Sequence, residues 1–353
     1  MLVSDFDFDL PPEQIAQTPT DDRESARLLV VDRTCPELAD RRVVDLPDLL
    51  VPGDLLVINE TRVFPARMLG HRVPTGGGVE CLLLSRLDNE RWEALMHPGQ
   101  KLRVGARVLF ERERRRLHAE VLERRDYGRR TIRLWGEGDG SVDNLIDALG
   151  HVPLPPYIRR PDRPVDRERY QTVYAREPGS VAAPTAGLHF TSEVLSALDA
   201  KGVATATVTL HVGIGTFRPV EADDLSNHEM HEEWYHVPEA TSAAVNETRA
   251  NGGRVWAVGT TSIRTLESSI DSAGRSISGA GTTDLFVRPP HDFRVVDCLL
   301  TNFHLPRSTL LMLVAAFAGY ERTMAAYRDA IRGEYRFYSY GDAMAVVGGA
   351  GSS

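Results

Sequence analysis

The sequence predicts a layered α/β domain into which an antiparallel β-barrel domain is inserted. Residues 55–58 and 255–258 are short, continuously apolar runs, which is the pattern of buried strands. Between residues 63 and 150, short alternating runs are separated by Gly, Asp or Arg turns, as in an antiparallel barrel or sandwich. With 353 residues, the chain also exceeds the usual size of a single core. We expect residues 1–62 and 151–353 to form the α/β domain and residues 63–150 the barrel domain.

The other elements follow from caps, prolines and apolar runs. Thr191-Ser192 and Ser308-Thr309 are expected to cap helices. Six prolines between residues 151 and 180 predict an extended loop, because proline removes backbone donors. Tyr157, Tyr170 and Tyr174 in this loop either stack on bases or anchor it to the core. Further strands are predicted within 24–33 and ending at residue 302, and further helices at 45–50, 141–150 and 240–250.

Residues 180–217 are the stretch most typical of a ligand site. They predict a strand, a helix and a second strand, and the two strands end in His189 and His211. Three nearby glycines allow the backbone to approach a ligand: Gly187, Gly213 and Gly215. Open α/β sheets bind ligands at the carboxyl ends of their strands, so we expect a site here.

Three more polar clusters follow predicted strands. They hold Asn59 and Arg62, then Thr260, Thr261, Ser262 and Arg264, then Asn302 and His304. The second cluster begins a helix, whose first N–H groups favour an anion such as a carboxylate or a phosphate. Capped strand ends and a simple helix N-cap also explain these residues, and the pattern leaves both interpretations open.

His228, Glu229 and His231 form a cluster that resembles a metal site in composition. The two histidines are three residues apart, whereas the HExxH zinc motif needs them four apart. We therefore favour hydrogen bonding or acid–base use and expect no bound metal. The three cysteines are widely spaced and predict neither a disulfide framework nor a CxxC zinc knuckle.

Arginine gives the predicted barrel a positive charge within an acidic protein. The net charge is −9, and the chain has only two lysines, Lys101 and Lys201. Residues 101–133 nevertheless hold 12 Lys or Arg against 5 Asp or Glu, and more arginines follow between 159 and 169. A solvated face and a contact surface for RNA phosphates explain this excess equally well.

The apolar runs indicate the compartment. The first residues lack a basic region followed by an apolar core, so no secretory signal is expected. The longest apolar run, at 310–319, is too short to span a bilayer. We therefore expect a cytoplasmic protein without membrane contact. We also expect a monomer, because no coiled-coil pattern occurs.

Long motifs are spread over nearly the whole chain, among them PGDLLVINETRVFPAR, VAAPTAGLHFT, VTLHVGIGTFRPV, HEMHEEWY, AVGTTSIRTLES, TNFHLPRSTLLMLVAAFAGY and YRFYSYGDAM. These motifs, in this order, resemble those of the S-adenosylmethionine:tRNA ribosyltransferase-isomerase family of queuosine biosynthesis. The resemblance implies an α/β domain with a β-barrel insertion. It also implies transfer of the ribosyl unit of S-adenosylmethionine to the aminomethyl group of 7-aminomethyl-7-deazaguanine (preQ1) at the tRNA wobble position. The products are epoxyqueuosine-tRNA, adenine and methionine.

The resemblance further implies S-adenosylmethionine as co-substrate, no permanently bound cofactor, and preQ1-modified tRNAs for Tyr, His, Asn and Asp as partners. Our hypothesis places His189 and His211 beside the ribose, with His228, His231 or Glu229 as the alternative base. The expected substrate-binding residues are Asn59, Arg62, Thr185, Gly187, Gly213, Gly215, Thr260, Thr261, Ser262, Arg264, Asn302 and His304. Residue patterns alone also allow a metal-dependent hydrolase built on residues 228–232, or a non-catalytic RNA-binding protein.

Overall fold

The computed structural model describes residues 1–125, 128–137, 141–213, 225, 228, 230 and 232–348. The strands within this part are β1 (Arg27–Asp32), β2 (Leu38–Arg42), β3 (Leu55–Asn59), β4 (Thr61–Val63), β5 (Arg67–Val73), β6 (Gly78–Arg86), β7 (Arg91–His97), β8 (Arg107–Arg112), β9 (Arg115–Arg124), β10 (Arg129–Gly136), β11 (Glu177–Ser180), β12 (Ala204–Leu210), β13 (Glu233–Val237), β14 (Val255–Val258), β15 (Gly279–Thr283), β16 (Cys298–Asn302) and β17 (Ala343–Val347). The α-helices are α1 (Val142–Leu149), α2 (Asp166–Arg169), α3 (Ser192–Ala200), α4 (Glu239–Ala250), α5 (Thr260–Ser268), α6 (Thr309–Ala318) and α7 (Tyr320–Arg332).

The main sheet has nine strands in the order β15-β13-β12-β3-β14-β16-β17-β1-β2. Its central strands β12, β3, β14 and β16 are parallel. Along β3, Leu55 and Val57 pack into the core on one face of the sheet, and Leu56 and Ile58 pack into the core on the other. Burial on both faces explains the continuous apolar run of this strand.

Helices cover both faces of the sheet, which confirms the predicted layered α/β architecture. Helices α4 to α7 pack against one face, and α3 packs against the other. Two helices begin at their predicted caps: the Thr191 hydroxyl accepts the Val194 N–H, and the Ser308 hydroxyl accepts the Leu311 N–H. No helix in the described part of the chain is both long and apolar enough to cross a membrane.

Strands β5 to β10 close into a six-stranded antiparallel barrel with the order β10-β7-β6-β5-β8-β9. Alternate residues fill its interior, for example Val108 and Phe110 on β8. Helix α1 packs Leu145 and Leu149 against the barrel. The predicted antiparallel barrel is confirmed, whereas the domain boundaries near residues 63 and 150 stay predictions.

The strand predicted to end at His189 is wrong. Residues Thr185–His189 form a 3-10 helix, in which the Gly187 N–H donates to the Pro184 carbonyl at 2.8 Å. Pro184 has no N–H to offer a neighbouring strand, which favours a turn at this point. The predicted strand-helix-strand unit therefore keeps only α3 and β12, and β12 pairs in parallel with β3.

Candidate active site

The parallel strands place four polar segments at one edge of the main sheet. His211 follows β12, Asn59 ends β3, Thr260 follows β14 through a single glycine, and Asn302 ends β16. Because these strands are neighbours and point the same way, residues from four distant parts of the chain meet at this edge. Open α/β folds bind their ligands in this position.

A cleft opens at this edge, between the ends of β14 and β16 and the 3-10 helix Thr185–His189. Its empty volume is about 640 Å³, part of it open to solvent. Five of the predicted binding residues line it together: Thr185, Thr260, Thr261, Asn302 and His304.

Three buried polar atoms around the cleft have no hydrogen-bond partner among the described residues: Asn302 Oδ1, Thr261 Oγ1 and the Tyr338 hydroxyl. Buried polar groups in folded proteins are normally satisfied, so these three atoms are available to hydrogen-bond a polar ligand in the cleft. Tyr338 also has a φ of 73° and stacks on Tyr157, with ring centroids 4.3 Å apart. Backbone strain of this kind is concentrated at functional sites.

Helix α5 begins at the wall of the cleft. Gly259, at a φ of 86°, precedes it, and Gly259, Thr260 and Thr261 all line the cleft. The first N–H groups of a helix have no partner within it, so this end favours an anion. Ser262 has a structural role instead, because its hydroxyl donates to the Val258 carbonyl at 2.7 Å.

Two buried histidines support the cleft. His189 lies behind Asn302, whose Nδ2 donates to His189 Nε2 at 3.1 Å and to the Tyr338 carbonyl at 3.0 Å. Burial lowers the pKa of His189 to about 4 and that of His304 to about 3, so both rings are neutral at pH 7. His304 Nε2 lies 2.8 Å from Thr301 Oγ1. His189 Nε2 therefore accepts a hydrogen bond from Asn302, a residue that lines the cleft.

His211 stands at the end of β12, next to Val212, which lines the cleft. Its Nδ1 lies 2.8 Å from Thr61 Oγ1, and its ring stacks on Trp234 with centroids 5.0 Å apart. Burial lowers the pKa of His211, and the carboxylate of Glu177 opposes this shift. A half-buried neutral imidazole with one nitrogen held by a hydroxyl is suited to act as a general base.

Three of the predicted binding residues are not among those that line the cleft. The Asn59 amide donates to the Leu210 carbonyl at 3.0 Å and accepts the Leu210 N–H at 3.1 Å, so it joins β3 to β12. A Cβ at Gly187 would lie 2.2 Å from the Tyr174 hydroxyl, so the absence of a side chain at this position makes room for Tyr174. Arg62 is exposed on the short strand β4.

Arg264 and Gly213 belong to one buried network. Arg264 forms an ion pair with Glu233 and donates to the carbonyls of Thr283 and Leu285. Glu233 Oε1 also accepts the Gly213 N–H at 2.8 Å. The network therefore fixes the chain after His211, and the predicted anion is better placed at the N-terminus of α5 than at Arg264.

The structure describes only part of the cluster at residues 228–232. His228 packs against Phe286 with ring centroids 5.2 Å apart. Glu229, His231 and Gly215 lie outside the described residues. Over the described ranges, no group of three His, Cys, Asp or Glu side chains is placed to hold a metal ion.

Sequence reasoning missed Thr61 and Tyr338 and left Tyr157 undecided. Tyr157 lies in the proline-rich loop and Tyr338 near the end of the chain, so only the fold brings the two rings together. The left-handed backbone of Tyr338 has no sequence signal, because bulky residues rarely adopt it. Thr61 stands within the NETR motif and, like His211, follows a predicted strand. This shared position was the sequence signal that could have placed Thr61 near His211.

Known proteins resemble this chain over nearly its whole length. A family model described as "Queuosine biosynthesis protein" matches residues 3–346. Relatives named S-adenosylmethionine:tRNA ribosyltransferase-isomerase are 54% identical in Symbiobacterium thermophilum and 50% identical in Pelotomaculum thermopropionicum. Both alignments cover 98% of this chain and 100% of the relative. The crystal structure of an S-adenosylmethionine tRNA ribosyltransferase from Thermotoga maritima is 39% identical, covers 98% of this chain and 100% of its own, and has a TM-score of 0.56. The chain belongs to the queuosine biosynthesis protein family.

Proposed function

We propose that this protein transfers the ribosyl unit of S-adenosylmethionine to the aminomethyl group of preQ1 at the tRNA wobble position. The same enzyme isomerises the unit and releases adenine and methionine. The observation that carries the proposal is a match over the whole chain, at 50–54% identity, to relatives named for this activity. The proposal extends to a cytoplasmic monomer without a permanent cofactor, acting on preQ1-containing tRNAs for Tyr, His, Asn and Asp.

The cleft has the groups that S-adenosylmethionine needs. Its methionine carboxylate fits at the start of α5, where backbone N–H groups and the Thr261 hydroxyl are available. Ribose hydroxyls or the adenine edge would satisfy Asn302 Oδ1 and the Tyr338 hydroxyl. The stacked pair of Tyr157 and Tyr338 gives a flat aromatic wall against which adenine can pack.

The proposed reaction needs a base. The aminomethyl group of preQ1 is an ammonium at neutral pH and must lose a proton before its nitrogen can attack. A proton must also leave the carbon beside the sulfonium. We assign the removal of the ammonium proton to His211, because burial lowers the pKa of His211 and its imidazole is therefore neutral near pH 7. His189 Nε2 accepts a hydrogen bond from the Asn302 amide, so we assign His189 the role of positioning Asn302.

A pH profile tests the assignment of His211. Its base form exists above its pKa, which lies below the ordinary value of 6.5, so turnover should fall as the pH drops through that region. Glu177 is exposed and raises the pKa of His211. Glu177→Gln should therefore shift the acid limb of kcat/KM to lower pH by a fraction of a pH unit. The exposed Glu193 gives a control, since Glu193→Gln should leave the limb in place; an unmoved limb in Glu177→Gln would contradict the assignment.

The reaction itself is tested with purified protein, S-adenosylmethionine and tRNA that carries preQ1. We expect adenine and methionine in equal amounts, released only when this tRNA is present. A tRNA with unmodified guanine at the wobble position is the matched control and should give neither product. Formation of S-adenosylhomocysteine instead would identify a methyltransferase and refute the proposal.

A further inference from the structure

We propose that an arginine-lined groove between the barrel and the proline-rich segment, residues 151–180, binds the phosphate backbone of the tRNA substrate. This inference rests on the proposed function, and it adds a binding surface outside the cleft. The groove has about 1760 Å³ of empty volume, part of it open to solvent. Its arginines come from the β8–β9 hairpin and from the segment after α1: Arg112, Arg114, Arg115, Arg116, Arg163 and Arg167.

Two arginines at the tip of the hairpin are available to a ligand. Arg116 already pairs with Glu111 at 3.4 Å and with Glu137 at 3.3 Å. Arg114 and Arg115 are both exposed, and neither forms an ion pair with a carboxylate in the described part of the chain. Unpaired guanidinium groups projecting from a tight turn are suited to bidentate contacts with phosphate oxygens.

A hydrogen-bonded relay builds the floor of the groove. Asp162 Oδ1 lies 2.8 Å from His151 Nδ1, and Arg112 Nη2 lies 3.2 Å from His151 Nε2. Asp162 Oδ2 also accepts the Val152 N–H at 3.1 Å. The relay joins the barrel hairpin to the proline-rich segment, so the arginines on the two sides are held at a fixed separation.

The groove continues towards the cleft. His151 and Asp162 also line a second groove, which follows the proline-rich segment to Val181. The next residue along the chain, Ala182, lines the cleft, and so does Tyr157 from the same segment. The arginine groove, this second groove and the cleft are therefore all lined by residues of one stretch of the chain, 150–182, which connects the arginines to the site where the modified base must react.

Electrostatics favours RNA as the occupant. The protein carries a net charge of −9, so a polyanion needs a local concentration of arginine, such as this groove provides, in order to bind. Contacts with phosphates release counterions, which makes binding strongly salt-dependent and independent of base sequence. These two properties distinguish a backbone-binding groove from a surface that reads bases.

The double variant Arg114→Ala/Arg115→Ala tests the inference. We expect its KM for tRNA to rise roughly tenfold, with no change in the KM for S-adenosylmethionine. The slope of log binding constant against log salt concentration should become shallower by about two, one for each lost phosphate contact. A non-substrate tRNA should lose affinity by the same factor. Weaker binding of the preQ1 tRNA alone would indicate base recognition and overturn the proposal.

A control variant removes the same charge elsewhere. Arg41 on β2 and Arg328 on α7 are exposed and lie outside the barrel, so Arg41→Ala/Arg328→Ala should keep the wild-type KM and salt slope. Equal effects in the two double variants would contradict the proposed phosphate contacts at the groove, but they would not contradict the proposed transferase activity. Failure of the proposed function would look different, because the wild-type protein would then release no adenine.

Discussion

His211→Ala should lower turnover by about 10²–10⁴-fold, the usual contribution of a positioned general base. The imidazole stands at the end of β12, with Nδ1 at 2.8 Å from Thr61 Oγ1 and its ring against Trp234. Removing the ring deletes a proton acceptor without opening a deep core cavity, because His211 is only half-buried. The measurement is adenine release at saturating S-adenosylmethionine and preQ1 tRNA, together with thermal unfolding to show that the fold persists.

His236 provides the matched control for this prediction. It lies on the neighbouring strand β13 and also stacks on Trp234, with centroids 6.3 Å apart. His236→Ala removes the same ring from the same stack but takes nothing from the end of β12, so turnover should stay close to wild type. Near-normal turnover in His211→Ala would rule out its role as the base. Equal losses in both variants would assign the effect to packing around Trp234.

The buried strands and the polar residues at their ends could be predicted from the sequence. Strands β3 and β14 are covered on both faces, and this demands the uninterrupted apolar runs that predict them. Because β12, β3, β14 and β16 are parallel neighbours, the polar residues that follow each strand necessarily meet at one edge. Asn302, Thr260 and Thr261 could therefore be assigned to a cleft from the sequence.

Partners from distant segments could not be predicted in the same way. Asn59 and Asn302 each follow a buried strand, yet one joins two strands and the other has an oxygen free to meet a ligand. The difference depends on which backbone groups lie opposite. His189 likewise has the sequence context of a ligand contact, but a turn begun at Pro184 places it behind Asn302. These roles are set by tertiary packing, which leaves no local pattern.

Arg264→Met should destabilise the protein by about 3–5 kcal/mol, the usual cost of breaking a buried ion pair by removing one of its members. The side chains of Arg264 and Glu233 are only 5% and 7% exposed. Methionine keeps most of the volume of arginine but none of its donors, so the carbonyls of Thr283 and Leu285 also lose theirs. Urea unfolding followed by circular dichroism measures the loss. Arg275 pairs with Asp271 at 3.9 Å and is 73% exposed, so Arg275→Met should cost no more than about 1 kcal/mol.

A second replacement separates stability from the geometry of the site. Removing the carboxylate as well, in Arg264→Met/Glu233→Leu, should restore much of the lost stability, because apolar side chains then replace both members of the buried ion pair. Turnover should not recover, because Glu233 Oε1 is the acceptor of the Gly213 N–H, two residues after His211. Without that hydrogen bond the segment carrying the proposed base is no longer held. A double variant that regains both stability and turnover would show that the network serves the fold alone.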